Sequence, residues 1–308
     1  MGCGALARFL ASRGVWLVFA ELTFINFAWN LNLGPRFVPV LGVIWAIGVS
    51  MIALAGLVWL PRAAIAGVGF ALVVGHNLVD AIQPAADAAS AGWRLLHVPG
   101  ILAVGGTPIG YVAYPLVPWI GVMALGYALG PTFLGADPGR SRRLVRAGVV
   151  VTLAFVALRL PSLYGEPNPW HAHDTLVATV IDVLDTTKYP PSLQYLCMTL
   201  GPAIALLGVL ERPGDAAADA LAVVGRVPFF FYVVHLYVIH VLALAVGAAQ
   251  GVPVRDVAVL FVRYPPGFGV DLASVYVFWV AVVLALYPAC WWFAGVKARR
   301  REWWLSYL

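Results

Sequence analysis

Three polar residues in the segment 76–80 form the clearest group that could do chemistry. His76 and Asp80 are four residues apart, so they share a face if the segment is helical, and Asn77 lies beside them. A carboxylate next to an imidazole can orient the ring and make it a better general base. The pattern predicts catalytic roles for His76 and Asp80 and a substrate-binding role for Asn77. The alternative is a helix end with ordinary polar groups at a membrane interface.

A second group could bind an anion or stabilise an oxyanion. Lys188 opens the stretch Lys-Tyr-Pro-Pro-Ser-Leu (188–193), in which Pro191 suits the first turn of a helix. The N–H groups of that turn and the ammonium of Lys188 predict an electropositive corner for a phosphate, a carboxylate or an oxyanion. Arg159, at the end of an apolar run, is a further candidate for substrate binding. For Lys188 the alternative is that its side chain reaches toward the membrane interface.

Three ionisable residues lie inside apolar runs. An unpaired charge at the position of Glu21 costs about 2.5–3.5 kcal/mol, so Glu21 is expected to be paired, protonated or functional, and it is a candidate for substrate binding. An ion pair between Glu21 and Arg159 that locks two helices is the alternative. His235 and His240 lie about 140° apart on one helix and cannot both face one small site. They are expected to bond to neighbouring helices or to carry protons.

The remaining histidines give weaker predictions. His171, His173 and Asp174 could ligate a metal, but no HExxH or cysteine pattern accompanies them. A solvated loop is favoured there, and we expect no metal. The lone His97 is also expected in a solvated loop.

The elements that must position these residues are membrane helices. The 308 residues are 62% hydrophobic and only 11% charged, with a mean hydropathy of +0.89, which excludes an ordinary soluble core. Eight runs are apolar enough to predict spans: 14–29, 37–60, 63–74, 110–129, 144–160, 192–210, 227–246 and 272–293. The fold class is therefore an all-α polytopic membrane protein with a bundle of about eight transmembrane helices. Gly126 and Gly130 form a GxxxG pattern, which predicts close helix packing.

The basic residues predict the orientation. Thirteen of the 19 Lys and Arg residues fall in alternate gaps between the runs, and six fall on the other side. Because cytoplasmic loops are rich in Lys and Arg, both termini are predicted to be cytoplasmic. The long connections 80–109 and 161–191 are then non-cytoplasmic and are expected to carry function. No basic face interleaves with aromatics, so nucleic acid is not an expected partner.

Several stretches together suggest a family: Arg-Gly (13–14) with Glu-Leu-Thr (21–23), Trp-Ala-Ile-Gly (45–48), Gly-His-Asn-Leu (75–78), Tyr-Pro-Leu-Val-Pro-Trp (114–119), Leu-Arg (158–159), Lys-Tyr-Pro-Pro-Ser-Leu (188–193) and Gly-Arg-Val-Pro (225–228). On these residues the chain resembles bacterial membrane proteins related to the catalytic domain of heparan-alpha-glucosaminide N-acetyltransferase. The resemblance runs over most of the chain.

The resemblance implies a multi-helical protein that moves an acetyl group from cytosolic acetyl-CoA to an amino sugar on the far side of the membrane. The catalytic histidine of that family belongs to a leading region with a Leu-Arg-Gly stretch. Nothing here matches that motif, so no family catalytic residue is carried over. Residues 1–308 are expected to form one transmembrane domain that lacks the leading helices. Either Met1 is an internal or misassigned start, the explanation that we favour, or the protein has lost the catalytic portion.

The leading hypothesis is a membrane acyltransferase that transfers acetyl to a sugar or glycan acceptor at the non-cytoplasmic face, in a bacterial inner membrane. Acetyl-CoA is the expected donor, and the lipid bilayer and an amino sugar are the expected partners. His76, supported by Asp80, would be the base, and Arg159 or Lys188 would stabilise an oxyanion. The alternatives are a transporter or flippase of lipid-linked substrates, with a proton relay, and a non-catalytic membrane partner.

Overall fold

The computed structural model describes residues 2–34, 37–82, 90–134, 137–211, 216–260, 263–300 and 302–307, and this part of the chain is mostly helical. Three basic residues of the orientation argument, Arg36, Arg212 and Arg301, lie outside the described residues. The helices are α1 (Cys3–Ala20), α2 (Asn26–Asn30), α3 (Val43–Leu57), α4 (Arg62–Gly75), α5 (Ser90–Leu96), α6 (Leu116–Leu129), α7 (Arg140–Arg159), α8 (Leu176–Leu184), α9 (Leu193–Leu210), α10 (Ala216–Gly225), α11 (Pro228–Ala249), α12 (Val254–Val257) and α13 (Leu272–Arg299).

Shorter elements complete the list. A π-helix (Glu21–Ile25) joins α1 to α2, and a 3-10 turn (His76–Val79) follows α4. Two more 3-10 segments lie at Gly130–Phe133 and Trp303–Tyr307. The strands are β1 (Val40–Leu41), β2 (Gly100–Val104) and β3 (Thr107–Val112).

Six helical segments of the described chain are long and apolar enough to cross a membrane: Cys3–Asn30, Arg62–Val79, Leu116–Phe133, Leu193–Leu210, Pro228–Ala249 and Leu272–Arg299. They correspond to six of the eight runs predicted from the sequence. Helices of this length satisfy their own backbone hydrogen bonds in lipid, and six of them are consistent with an integral membrane protein.

The other two predicted runs form helices of a different kind. The run 37–60 contains β1 and then α3, which has only 15 residues. The run 144–160 lies within α7, and the first seven residues of α7 include four arginines. The apolar pattern alone missed both features. The strand β1 occupies part of the run 37–60 and so shortens α3. The helix α7 begins before the run 144–160, so it includes arginines that were predicted to lie in a loop.

Contacts within the chain group it into two compact units. Unit 1 comprises Met1–Val18 and Val40–Pro213, and unit 2 comprises Phe19–Pro39 and Gly214–Leu308. In unit 1, α7 packs along α9, and α6 packs against both α3 and α4. In unit 2, α13 packs against α10 and α11, with Val227, Cys290 and Phe293 in its core.

Glycines set the closest helix contacts of unit 1, but not the glycines of the GxxxG pattern. Gly148 of α7 lies against the backbone of Gly201 in α9, and a Cβ on Gly69 of α4 would lie 2.9 Å from the carbonyl oxygen of Gly121 in α6. A Cβ on Gly126 or Gly130 would meet no described atom of a neighbouring element within 4 Å. The packing predicted from Gly126 and Gly130 is therefore wrong, because that face of α6 borders open space.

A small sheet holds the N-terminal ends of two helices side by side. The strand order is β1-β3-β2; β1 runs parallel to β3 with Val40 opposite Tyr111, and β2 is antiparallel to β3. Because β1 leads into α3 and β3 leads into α6, the N-terminal ends of these two helices lie side by side. Trp45 and Leu116 pack together there. The connection 80–109, expected as a loop, thus holds α5, β2 and part of β3.

Candidate functional site

His76 links the end of α4 to the segment before α9. Its Nδ1 lies 2.9 Å from the carbonyl oxygen of Val73, and its Nε2 lies 2.9 Å from the carbonyl oxygen of Pro191. The side chain is buried. A neutral imidazole has one N–H and can donate to only one of these oxygens, whereas the imidazolium donates to both. In this arrangement both ring nitrogens of His76 face backbone carbonyl oxygens.

Asn77 forms a second link between the same two segments. Its Oδ1 accepts a hydrogen bond from the backbone N–H of Leu193 at 3.0 Å, and its Nδ2 donates to Oδ2 of Asp80 at 2.8 Å. Leu193 is the first residue of α9, whose first N–H groups have no partner within the helix. Asn77 therefore satisfies the start of α9 and holds the Asp80 carboxylate in place.

Asp80 pairs with His97, the histidine that sequence reasoning had set aside. Oδ1 of Asp80 lies 2.9 Å from Nε2 of His97. The ring of His97 packs against Trp93 at 5.0 Å between centroids, and the ring of His76 lies 6.2 Å away. His97 is 1% exposed, so the prediction of a solvated loop there is wrong. The Asp80 carboxylate therefore accepts a hydrogen bond from Asn77 and is bonded to Nε2 of His97.

The second ring nitrogen of His97, Nδ1, differs from Nε2 in its hydrogen bonding. Among the described residues, Nδ1 of His97 is buried and has no hydrogen-bond partner. A carboxylate that accepts the Nε2–H fixes the tautomer in which Nδ1 carries a lone pair. This geometry is that of a general base, with the imidazole oriented by an acid. The sequence carries no local signal for it, because 17 residues separate the two partners.

Glu166 organises the loop before α9. Its carboxylate accepts hydrogen bonds from the backbone N–H and hydroxyl of Thr187 and from the hydroxyl of Ser192. The Ser192 hydroxyl in turn accepts from the backbone N–H of Tyr195, so it caps α9. Pro191 precedes this cap, outside the first turn of α9 in which it was predicted. No sequence pattern predicts this role for Glu166.

Lys188 is an exposed cation at the edge of this loop. Its ammonium lies 5.2 Å from the ring centroid of Tyr189, and the Tyr189 ring meets the Tyr114 ring edge-on at 5.2 Å. Tyr114 also packs against Trp119. Lys188 therefore extends from an aromatic cluster in which two of the quoted sequence stretches meet.

Arg159 is buried at 1% exposure, and its guanidinium donates four hydrogen bonds to backbone carbonyls. The acceptors are Asn168 at 2.7 Å, Asp182 and Asp185 at 2.8 Å, and Val183 at 2.9 Å. Three of these carbonyls belong to the end of α8, where a cation also interacts favourably with the helix dipole. Arg159 therefore holds α8 against the end of α7.

The α8 region contains the histidines considered for a metal. His173 Nε2 lies 2.8 Å from Oδ2 of Asp182, which also accepts the backbone N–H of His171 at 2.9 Å. These bonds, the backbone one first and the imidazole second, lower the pKa of Asp182 below its ordinary value. Within the described ranges, no three His, Cys, Asp or Glu residues are placed to hold a metal ion.

Unit 2 has its own buried polar residues. Glu21 is fully buried in the π-helix, and its backbone carbonyl accepts from Asn26 Nδ2 at 2.5 Å. His240 of α11 has Nδ1 2.9 Å from the carbonyl oxygen of Ala28 and Nε2 3.0 Å from that of Val257. His240 thus bonds to neighbouring segments, one of the two possibilities left open by the sequence. The role of Glu21 in substrate binding stays a prediction.

Comparison with known proteins adds a family. A family model described as "Heparan-alpha-glucosaminide N-acetyltransferase, catalytic" matches residues 6–164, just over half of the 308-residue chain. The matched region includes α3, α4 and α6 and all four residues of the polar group, His76, Asn77, Asp80 and His97. Neither the curated proteins nor the solved structures gave a match.

Proposed function

Because the chain belongs to the heparan-alpha-glucosaminide N-acetyltransferase catalytic family, we propose that it is a membrane acetyltransferase that acts on an amino sugar of the glucosamine type. Acetyl-CoA is the proposed donor, since the family uses it. The family match supports the reaction class, and the six candidate spans support a site built at the end of membrane helices. The proposed location is a bacterial inner membrane.

The orientation of the site is part of the proposal. With α3 and α7 counted as spans beside the six candidates, the proposed eight crossings return both termini to the same side, and the basic residues favour the cytoplasm for that side. The ends of α4 and α7 and the start of α9 then share the non-cytoplasmic face. The hydrogen bond between His76 and the Pro191 carbonyl and the one that the Leu193 N–H donates to Asn77 support this, because they join two of those ends.

One observation carries the proposed chemistry: the Asp80–His97 pair leaves a buried ring nitrogen without a partner in the described chain. We assign the base to His97 and its orientation to Asp80. His97 Nδ1 takes the proton of the acceptor amine as the amine nitrogen attacks the acetyl carbonyl carbon. The C–S bond breaks, coenzyme A leaves as a thiolate, and His97 returns the proton to the sulfur.

The other predicted residues take supporting roles in this proposal. His76 and Asn77 position the pair by fixing the end of α4 to the start of α9. Lys188, exposed beside the aromatic cluster, is the cation available to a phosphate or an oxyanion. Arg159 acts through α8, because all four of its described hydrogen bonds go to backbone carbonyls.

The proposal is tested by acetyl transfer in proteoliposomes. The purified chain is reconstituted with labelled acetyl-CoA on the side of the arginine-rich end of α7 and glucosamine on the other side. We expect labelled N-acetylglucosamine to form on the glucosamine side. Correctly inserted protein that forms no product with any amino sugar or glycan acceptor would contradict the proposed function.

A buried acid favours a second candidate, proton-coupled transport. Glu21 is fully buried in a π-helix within the candidate span Cys3–Asn30, and π-helical turns are frequent at functional sites. This function predicts substrate flux that depends on a proton gradient and is lost in Glu21→Gln. An acetyltransferase gives product without a gradient, so one proteoliposome preparation distinguishes the two.

A further inference from the structure

A cavity of about 520 Å³ lies between α3 and α6, away from the polar group. It is lined by five residues of α3 between Val43 and Leu54 and by five residues of α6 between Trp119 and Tyr127. Its volume falls in the range of ordinary small-molecule sites. None of these ten lining residues, all within the described chain, is charged.

The positions of the lining residues give the cavity its shape. On α6 they are Trp119, Val122, Met123, Gly126 and Tyr127, which follow one another at helical spacing on one face. The nine residues of helix from Trp119 to Tyr127 correspond to a slot about 12 Å long that runs along the helix axis. Gly126 widens it, because a Cβ there would meet no described atom of a neighbouring element within 4 Å.

Two polar groups on residues that line this apolar slot make no hydrogen bond to each other or to another described residue. Among the described residues, the hydroxyl of Ser50 and the indole Nε1–H of Trp119 are buried and have no hydrogen-bond partner. Ser50 is 1% exposed, and a serine inside a helix ordinarily bonds to the carbonyl four residues earlier. Both groups belong to residues that line the cavity. A ligand that supplies a hydrogen-bond acceptor would satisfy them.

We propose that this cavity binds one acyl chain of a bilayer glycerolipid, with the ester carbonyl of the lipid accepting hydrogen bonds from Ser50 and Trp119. The apolar walls and the elongated slot suit a hydrocarbon chain. An indole only donates, so the ligand must carry an acceptor, which a plain hydrocarbon lacks. A free fatty acid would place its carboxylate beside lining residues that include no cation, at a high cost in lipid.

Two neighbouring classes of ligand fit less well. A sugar needs several polar partners, and the lining offers few. A transmembrane helix offers a weaker set of backbone acceptors, because the carbonyls of its interior already accept hydrogen bonds within the helix. The ester of a glycerolipid combines an apolar chain with one strong acceptor, which matches the lining.

The test uses photolabelling by two matched lipids. The whole chain is placed in phosphatidylcholine nanodiscs doped with a diester phosphatidylcholine that carries a diazirine in one acyl chain, or with its diether analogue, which lacks the carbonyl. We expect the diester to label peptides of α3 and α6 more strongly than the diether does. Ser50→Ala and Trp119→Phe should each lower diester labelling about threefold to tenfold and leave diether labelling unchanged.

Controls keep the test independent of folding. Ser12→Ala removes a serine hydroxyl that donates to the Phe9 carbonyl on α1, and it should leave labelling unchanged. Gly126→Leu should fill the slot and abolish labelling by both lipids. Gel filtration and thermal melting show whether each variant is folded. Equal labelling by the two lipids, no response to Ser50→Ala, or labelling by a diazirine fatty acid in place of the diester would overturn the proposal.

Discussion

Unit 1 and unit 2 each contain a buried histidine whose two ring nitrogens face backbone carbonyls. His76 joins Val73 and Pro191 in unit 1, and His240 joins Ala28 and Val257 in unit 2. In both cases the ring connects a long helix to segments remote in the sequence. A buried histidine in this bundle is therefore, by itself, a sign of a structural connection between segments.

The two units differ in what surrounds that histidine. Unit 1 adds the carboxylate of Asp80 and a second imidazole, His97, whose Nδ1 has no partner in the described chain. In unit 2 the nearby Tyr237 donates its hydroxyl to the Phe24 carbonyl, and Asn30 donates to Asn26. The comparison teaches that a lone pair left available, rather than burial, distinguishes a candidate base from a structural histidine.

The strongest way to break this comparison is to remove the candidate base. His97→Ala should lower the rate of acetyl transfer about a hundredfold or more, because a positioned general base contributes at least that much. His235→Ala is the matched control, since its Nδ1 bonds only within its own helix, to the Phe231 carbonyl. Equal losses in the two variants would remove His97 from its proposed role.

The complementary change removes the structural histidine of unit 2. His240→Ala should lower the free energy of unfolding by about 1–3 kcal/mol, because a buried carbonyl loses its hydrogen-bond donor. The rate of transfer per folded molecule should stay the same. Chemical denaturation in detergent measures the first quantity, and the transfer assay measures the second. A normal stability with a lost activity would reverse the assignment of the two units.

A smaller effect is expected for the second link within unit 1. Asn77→Ala removes the acceptor for the Leu193 N–H and should destabilise the chain by about 0.5–2 kcal/mol, the range for a lost helix cap. Asn168→Ala, at an exposed asparagine bonded to Thr187, is the control and should change little. The denaturation midpoints of the two variants are compared. Similar midpoints would contradict a role for Asn77 in fixing the start of α9.

The smallest effect concerns the pH dependence of the contact between Asp182 of α8 and the segment of His171 and His173. The folded state lowers the pKa of Asp182, so its contribution to stability is present above the ordinary value near 3.9 and is lost as the pH falls through the folded value. Hydrogen exchange of a peptide covering α8, corrected for intrinsic rates, should show opening of this contact at the acid end. Asp182→Asn should remove this dependence. Protection that increases on acidification would contradict it.

The sequence predicted the parts of the fold that depend on local composition. Apolar runs of sufficient length identified the membrane helices, since length and hydropathy alone decide that property. Quoted stretches at 75–78 and 188–193 meet in the structure, where His76 reaches Pro191. Arg140, Arg142 and Arg143 of α7 were expected in a loop, because an apolar run does not reveal how far a helix continues into a charged segment.

Features that depend on distant pairing were missed. The Asp80–His97 pair spans 17 residues, and the hairpin of β2 and β3 was taken for a loop. Arg159 was expected to bind substrate or Glu21, but its described acceptors are backbone carbonyls, which no side-chain pattern reveals. Gly126 shows the opposite error, since a glycine from which close packing was predicted lines a cavity.

The bond between His76 and Pro191 also has a consequence for biogenesis. The two residues are 115 positions apart, so at about 5–20 residues per second the ribosome makes Pro191 roughly 6–23 seconds after His76. During that interval α4 is already available for insertion, while the imidazole of His76 and the amide of Asn77 lack their later partners. The end of α4 next to His76 must therefore remain near water or an insertion factor until α9 arrives.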